Sequence, residues 1–122
     1  MKSIPNIYIL EDNPDIGYIL EFVLIEEGFN IQLYNCVSDL QAAVRKDLPD
    51  LFLLDVMLPD GNGIEMCHLI KTTAASSQLP VLMMSANTRA TSVMECKAEA
   101  FIQKPFDLDA VVNTIREHLH AA

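Results

Sequence analysis

Apolar runs and apolar periodicity divide the chain into alternating segments. Asn6-Ile-Tyr-Ile-Leu10, Leu51-Phe-Leu-Leu-Asp55 and Pro80-Val-Leu-Met-Met84 are continuous and end in turn-forming or polar residues. That is the pattern of a strand buried on both faces. Ala100-Phe-Ile102 is a briefer run of the same kind. Ile31 and Leu33 instead alternate with Asn30, Gln32 and Tyr34, so this strand has a wetter side and suits a sheet edge. Between the strands, apolar residues recur at helical spacing. Ile16, Ile19, Leu20, Val23 and Leu24 predict the inner face of a first helix. Leu40, Val44 and Leu48 predict a second, and Ile64, Cys67 and Ile70 a third. Leu108, Val111, Val112, Ile115 and Leu119 predict the last. Asn87 to Lys97 is weaker: Thr88, Thr91, Ser92 and Val93 are poor helix formers, so a fourth helix there is expected to be short or irregular.

The ends of these segments carry local signals. Asp12 or Asn13 can cap the first helix, with Pro14 at the first position, where a missing N–H costs nothing. Gly28 suits its C-terminal stop. Ser38 and Gln41 form a capping-box pair for the second helix, and Pro49 closes it. Pro59, Gly61 and Gly63 shape a loop after Asp55, and Asp107 caps the final helix. Five strands alternating with five helices predict an α/β fold with a parallel sheet and right-handed crossovers. The arrangement that matches is the flavodoxin-like (βα)5 three-layer sandwich, with sheet order 2-1-3-4-5. At 122 residues the chain is expected to be one domain, 1–122.

Composition narrows the classes. Hydrophobic residues make up 51% and charged residues 20%, which excludes disorder. No apolar stretch is long enough to cross a bilayer, and Met1-Lys-Ser-Ile-Pro5 lacks the apolar core of a secretory signal, so a cytoplasmic location is expected. Cys36, Cys67 and Cys96 form no C-x-x-C and read as reduced, core-type thiols. A formal net charge of -9 argues against direct contact with nucleic acid phosphates.

The chemistry collects at one end of the sheet. In such folds ligands sit beyond the carboxyl ends of the strands, between the first and third. Strand 1 ends at Glu11 and Asp12, strand 3 at Asp55, strand 4 at Ser85 and strand 5 at Lys104. Like charges ~5 Å apart repel by roughly 3 kcal/mol per pair at an effective dielectric of ~20. Either one carboxyl stays protonated or a hard divalent cation binds, and an oxygen-only site suits Mg2+ (or Mn2+). A carboxylate beside a metal, a lysine and a hydroxyl is a phosphoryl-transfer constellation, in which catalysis is positioning and charge neutralisation.

These residues resemble the receiver domain of two-component response regulators over nearly the whole chain. Glu11-Asp12 is similar to the family's acidic pair, and Asp55-Val-Met-Leu-Pro-Asp-Gly-Asn-Gly63 to its phosphorylation loop. Ser85-Ala86 is similar to its hydroxyl with a small neighbour, and Lys104-Pro105-Phe106 to its lysine–proline motif. The resemblance implies that Asp55 accepts a phosphoryl group from a histidine kinase or a histidine phosphotransfer protein. It implies Mg2+ at Glu11, Asp12, Asp55 and the Met57 carbonyl, and Lys104 paired with the phosphoryl group. Ser85 and Phe101 would be the switch residues, and the Lys104–Pro105 bond would be cis. Such a domain is a regulator, not an enzyme in the ordinary sense. It acts on an effector domain or target protein and admits a homodimer. Two departures stand out. Lys97-Ala98 stands where relatives often have Gly-Ala, so the turn differs or carries strain. Ser85 to Phe101 is shorter than usual by roughly one helical turn, which bears on the family's usual output face of fourth helix, last strand and last helix.

Other readings rank lower. A receiver-like module that docks partners without phosphorylation is the alternative. A flavin site would want a hydroxyl- and glycine-rich loop where Asp12-Asn-Pro-Asp15 stands, and a phosphatase would want a second aspartate where Met57 stands. His68, His118 and His120 read as surface residues, and Met83-Met84 as core. No effector segment follows Ala122, so the domain either acts alone or was excised from a longer chain.

Overall fold

The computed structural model describes residues 4–86 and 96–120. The expected fourth helix, at 87–97, lies almost wholly outside these residues. The chain runs β1 (Asn6–Leu10), α1 (Pro14–Glu26), β2 (Asn30–Tyr34), α2 (Val37–Lys46) and β3 (Leu51–Asp55). A ribbon of two two-residue strands follows, β4 (Met57–Leu58) and β5 (Gly61–Asn62), then α3 (Gly63–Thr72), β6 (Val81–Ser85), β7 (Ala100–Gln103) and α4 (Leu108–His120). The five-stranded sheet has the order β2-β1-β3-β6-β7 and is parallel throughout. Leaving the ribbon aside, this is the expected 2-1-3-4-5.

The strand alternation builds two cores. Ile7, Ile9, Leu51, Leu53, Leu82 and Met84 face one side, where Leu20 and Leu24 of α1 and Val111 and Ile115 of α4 cover them. Tyr8, Leu10, Phe52, Leu54, Val81 and Met83 face the other, under Leu40 of α2 and Met66, Cys67 and Ile70 of α3. All five residues of β3 are buried, as are all five of β6. Each fully buried large apolar side chain contributes about 1.5–3 kcal/mol, so the central strands are the stiffest part of the sheet.

Local signals were met in part. The Asn13 side chain accepts from the amides of Asp15 (2.9 Å) and Ile16 (3.1 Å), with Pro14 at the first helical position. Gly28 takes φ +96° and closes α1: its amide donates to the Ile25 carbonyl, and that of Phe29 to Leu24. Asp107 caps α4 through the Asp109 amide. The capping box at Ser38 does not form. Cys36 is the N-cap of α2 and makes no side-chain cap bond, and the acceptor is Asp60, from the loop after β3. Ile19, expected on the inner face of α1, is 45% exposed. The helix buries Leu20 and Leu24 as expected and also Gly17, whose lack of a Cβ lets α1 lie close against the Leu33 side chain of β2. In α3, Met66 joins Cys67 and Ile70, while Ile64 is half-buried. Lys97 occupies the left-handed region at φ +63°, so the turn keeps a glycine-type conformation at a cost of about 1–2 kcal/mol.

The three cysteines are thiols. Cys67 and Cys96 are buried, and Cys36 is half-exposed rather than core. Burial pushes the Cys67 thiol well up, and it donates to the Cys96 carbonyl at 3.4 Å. His68 is exposed as expected; His118 is half-buried, with Nδ1 donating to the Thr114 carbonyl, and the His120 side chain lies outside the described residues.

At the end of the sheet opposite Asp55, Lys71 Nζ donates to Glu99 Oε2 (2.6 Å) and to the Leu79 carbonyl (2.8 Å), while Glu99 Oε1 accepts from the Val81 amide (2.7 Å). The Lys71 side chain is 8% exposed. Glu99→Ala is expected to lower the free energy of unfolding by about 2 kcal/mol, because it leaves a buried ammonium and an amide underpaired. Glu27→Ala breaks an open pair with Arg116 and should cost under about 1 kcal/mol. Urea unfolding of both variants measures the difference.

Candidate functional site

Parallel pairing aligns the strand tips. Leu10 pairs with Leu54, Asp55 with Met84, and Ser85 with Gln103. Glu11, Asp55, Ser85 and Lys104 therefore gather at one edge. One carboxylate oxygen from each of Glu11, Asp12 and Asp55 lies within 4.8 Å of the others. Glu11 is 2% exposed and Asp55 7%, whereas Asp12 is open to solvent. Lys104 Nζ donates to Glu11 Oε1 (2.6 Å) and to Asp55 Oδ2 (3.2 Å). Lys104 reaches them from just beyond β7, and its peptide bond to the following Pro105 is cis.

Burial is the largest influence on both Glu11 and Lys104. It pushes the Glu11 carboxyl above its ordinary 4.5, against hydrogen bonds from Lys104 and from the Asn13 amide. Burial draws Lys104 down, but the Glu11 hydrogen bond and the Asp55 charge outweigh it, and the ammonium ends above its ordinary 10.5. Lys104 stays charged. Three carboxylates against one ammonium leave two negative charges, the deficit that a divalent cation cancels. The donor set is all oxygen, with one ligand atom per residue, which fits Mg2+ or Mn2+.

The loop after Asp55 is fixed at its base. The Val56 amide donates to Met84, and the Gly63 amide to the Val56 carbonyl at 2.7 Å. A Cβ on Gly63 would lie 1.8 Å from the Asp55 carbonyl oxygen, so no other residue fits there without moving the end of β3. The Asn62 side chain then caps α3 through the Ile64 amide. The Met57 side chain is 75% exposed, and Phe101 is half-buried against the α2–α3 core. Ser85 is 5% exposed, and its carbonyl accepts from the Lys104 amide.

This geometry has counterparts. Residues 7–116 match the family model described as the response regulator receiver domain. The chain belongs to that family. Receiver domains are signalling modules of two-component systems. The receiver is 35% identical over 93% of its length to the DNA-binding response regulator MtrA of Mycolicibacterium smegmatis, of which it covers 50%. It thus spans about half the length of the curated relatives it matches. It superimposes with TM-score 0.91 on a CheY-like response regulator receiver domain protein from Methanospirillum hungatei, at 21% identity and with 98% and 96% of the two chains covered. The receiver domain of a signal transduction histidine kinase from Syntrophus aciditrophicus also gives 0.91, at 24% identity, with 97% and 92% covered. At these identities the two structures speak to the fold. No helix among the described residues is long and apolar enough to cross a membrane.

Two features of the surface around the site have no specific local signature in the sequence. Asp60 reads as a turn residue in Pro-Asp-Gly, yet its carboxylate caps α2. On α1, Tyr18, Phe22 and Ile25 are 66%, 58% and 51% exposed and share one face at i, i+4, i+7 spacing. A helix apolar on both sides was the available signal.

A carboxyl whose folded value is raised gives stability that is full below its unfolded value, near 4.5, and lost as pH rises through the folded value. Lys104→Met removes the ammonium that opposes this rise at Glu11. In metal-free buffer the variant should lose about 3 kcal/mol relative to the parent near neutral pH. Urea unfolding should show that gap widest near neutral pH and narrowing as the pH falls toward 4.5.

Proposed function

We propose that this receiver is a phosphorylation-dependent switch in which Asp55 takes a phosphoryl group from a phosphohistidine. The observation that carries the reading is the Lys104 ammonium held between Glu11 and Asp55, with Asp12 beside them. In the transfer, an Asp55 carboxylate oxygen bonds to phosphorus while the P–N bond to the donor histidine breaks. The imidazole nitrogen keeps the electron pair and takes a proton. Negative charge sits on the phosphoryl oxygens throughout, so the protein's part is to position and neutralise. Lys104 turns its ammonium from Asp55 to a phosphoryl oxygen, and Glu11 keeps it in place. Ser85, at the tip of β6, offers its hydroxyl to another oxygen, and Phe101 follows into the space that Ser85 leaves. Glu11, Asp12, Asp55 and the Met57 carbonyl would hold Mg2+ or Mn2+, which when bound supplies further charge neutralisation at those oxygens.

The donor is a histidine kinase or histidine phosphotransfer protein, and α1 is the face it meets. Tyr18, Phe22 and Ile25 form an apolar stripe flanked by Glu21 on one side and by Asp15 and Glu26 on the other. Tyr18 also lines a hollow of about 390 Å3 with Glu11, Asp12, Glu21 and Asp39. The complementary surface is a helix with an apolar seam and basic flanks. A second copy of this chain would set acid against acid there.

Incubation with acetyl phosphate and Mg2+ should add one phosphoryl group by intact mass, and chelator should prevent it. Asp55→Asn should not gain that mass; modification of the variant to the same extent would sink the assignment. Phe22→Glu should accept from acetyl phosphate at the parent rate. From a histidine phosphotransfer protein that serves the parent, it should accept about tenfold more slowly.

A further inference from the structure

Asp60 stands at the turn of the β4–β5 ribbon. Its Oδ1 accepts from the Val37 amide at 2.7 Å and its Oδ2 from the Ser38 amide at 3.1 Å. The arrangement is reciprocal. The N-terminus of α2 has no side-chain cap of its own, and its first two amides find their acceptor in Asp60. The ribbon, for its part, is two strands of two residues, too short to hold a shape unaided. Its base is pinned by the bonds at Val56 and Gly63, and its flank by Gly61, which sits so close to Val37 that a Cβ would approach it to 3.2 Å. Its tip is pinned by Asp60. The carboxylate lies at the positive end of the α2 dipole, and its two amide bonds keep it below its ordinary 3.8 and therefore charged.

Met57, whose carbonyl the proposed function gives to the metal, is the first residue of that ribbon and has a solvent-exposed side chain. We infer that Asp60 is a positioning residue for the cation site: by anchoring the ribbon to the N-terminus of α2, it holds the Met57 carbonyl in the acidic cluster. The inference rests on the proposed metal site. It also makes α2 a mechanical partner of that site, since movement of Met57 on metal binding is passed through Asp60 to Val37 and Ser38.

The experiment is an Mg2+ titration of four 15N-labelled chains: parent, Asp60→Ala, Asp60→Asn and Glu99→Ala. Calorimetry gives the affinity, and thermal unfolding gives the stability of each. Asp60→Ala should weaken Mg2+ roughly tenfold, with Asp60→Asn, which keeps one acceptor oxygen, falling between it and the parent. Glu99→Ala is destabilised at the far end of the sheet and should bind within about twofold of the parent. In the parent, Mg2+ should shift the Val37 and Ser38 amide resonances; in Asp60→Ala it should not. Parent-like affinity in folded Asp60→Asn and Asp60→Ala would overturn the inference. Equal weakening in Glu99→Ala would also overturn it, by tracing the effect to global stability. A parent that binds no Mg2+ would instead bring down the site reading on which the inference rests.

Discussion

The structure turns on one contact, the Lys104 ammonium lodged between Glu11 and Asp55. A parallel sheet brings the ends of β1 and β3 side by side, so acidic residues at those ends must meet. Two of them are almost wholly removed from water. Without a cation the carboxylates would repel one another by several kcal/mol, and burial would add to the cost. Lys104 relieves this from a segment 93 residues away in sequence from Glu11, so the last strand closes the site as well as the sheet. The relief is incomplete, and that incompleteness is what gives the site its appetite for charge.

Around that contact, the backbone is fixed by residues with no chemistry of their own. Gly63 lets α3 begin against the carbonyl of Asp55. Asn13 starts α1 directly after the acidic pair, and its amide reaches back to Glu11 Oε2 at 3.1 Å. Asp60 ties the loop tip to α2. Each is a backbone accommodation at the carboxyl end of a strand. The apolar strands supply stiffness, and these three set the angles at which the carboxylates leave it.

Much of this was legible in the sequence, for identifiable reasons. The buried strands were readable because continuous apolar runs such as Leu51–Leu54 are short and end in turn-forming or polar residues, which favours a strand over a buried helix. The acidic pair, Asp55, Ser85 and Lys104 were readable because each lies at a strand end, and strand order converts that into proximity. The cap on α2 was not. Ser38 and Gln41 satisfy the local rule, but the acceptor comes from Asp60, 22 residues beyond Ser38, and local spacing carries no information about it. The rotation of α1 was also hidden. Its residues are apolar nearly all round, so periodicity alone could not tell Leu20 and Leu24, which are buried, from Ile19 and Phe22, which are not. The close approach of Gly17 to Leu33 bears on the matter, and that is a tertiary fact. At Lys97 the sequence offered two outcomes, and the φ of +63° selects the strained one.

The same electrostatics bear on why the site can be both costly and specific. A cluster with two uncompensated negative charges lowers the stability of the free fold, and a cation that binds only the folded cluster returns it by mass action. The interaction is strongest where water is excluded, at Glu11 and Asp55, and open where Asp12 meets solvent, so a cation can enter while keeping part of its hydration. Mg2+ dehydrates reluctantly and suits such a half-open site better than an enclosed one. In the proposed transfer, a phosphoryl group arriving at Asp55 would bring negative charge into the same space. Lys104 and the cation would then be shared between the carboxylates and the phosphoryl oxygens. The loop that carries Met57, outside the five-stranded sheet and largely exposed, is able to adjust to that redistribution. The sheet itself, with β3 and β6 buried along their whole length, is not.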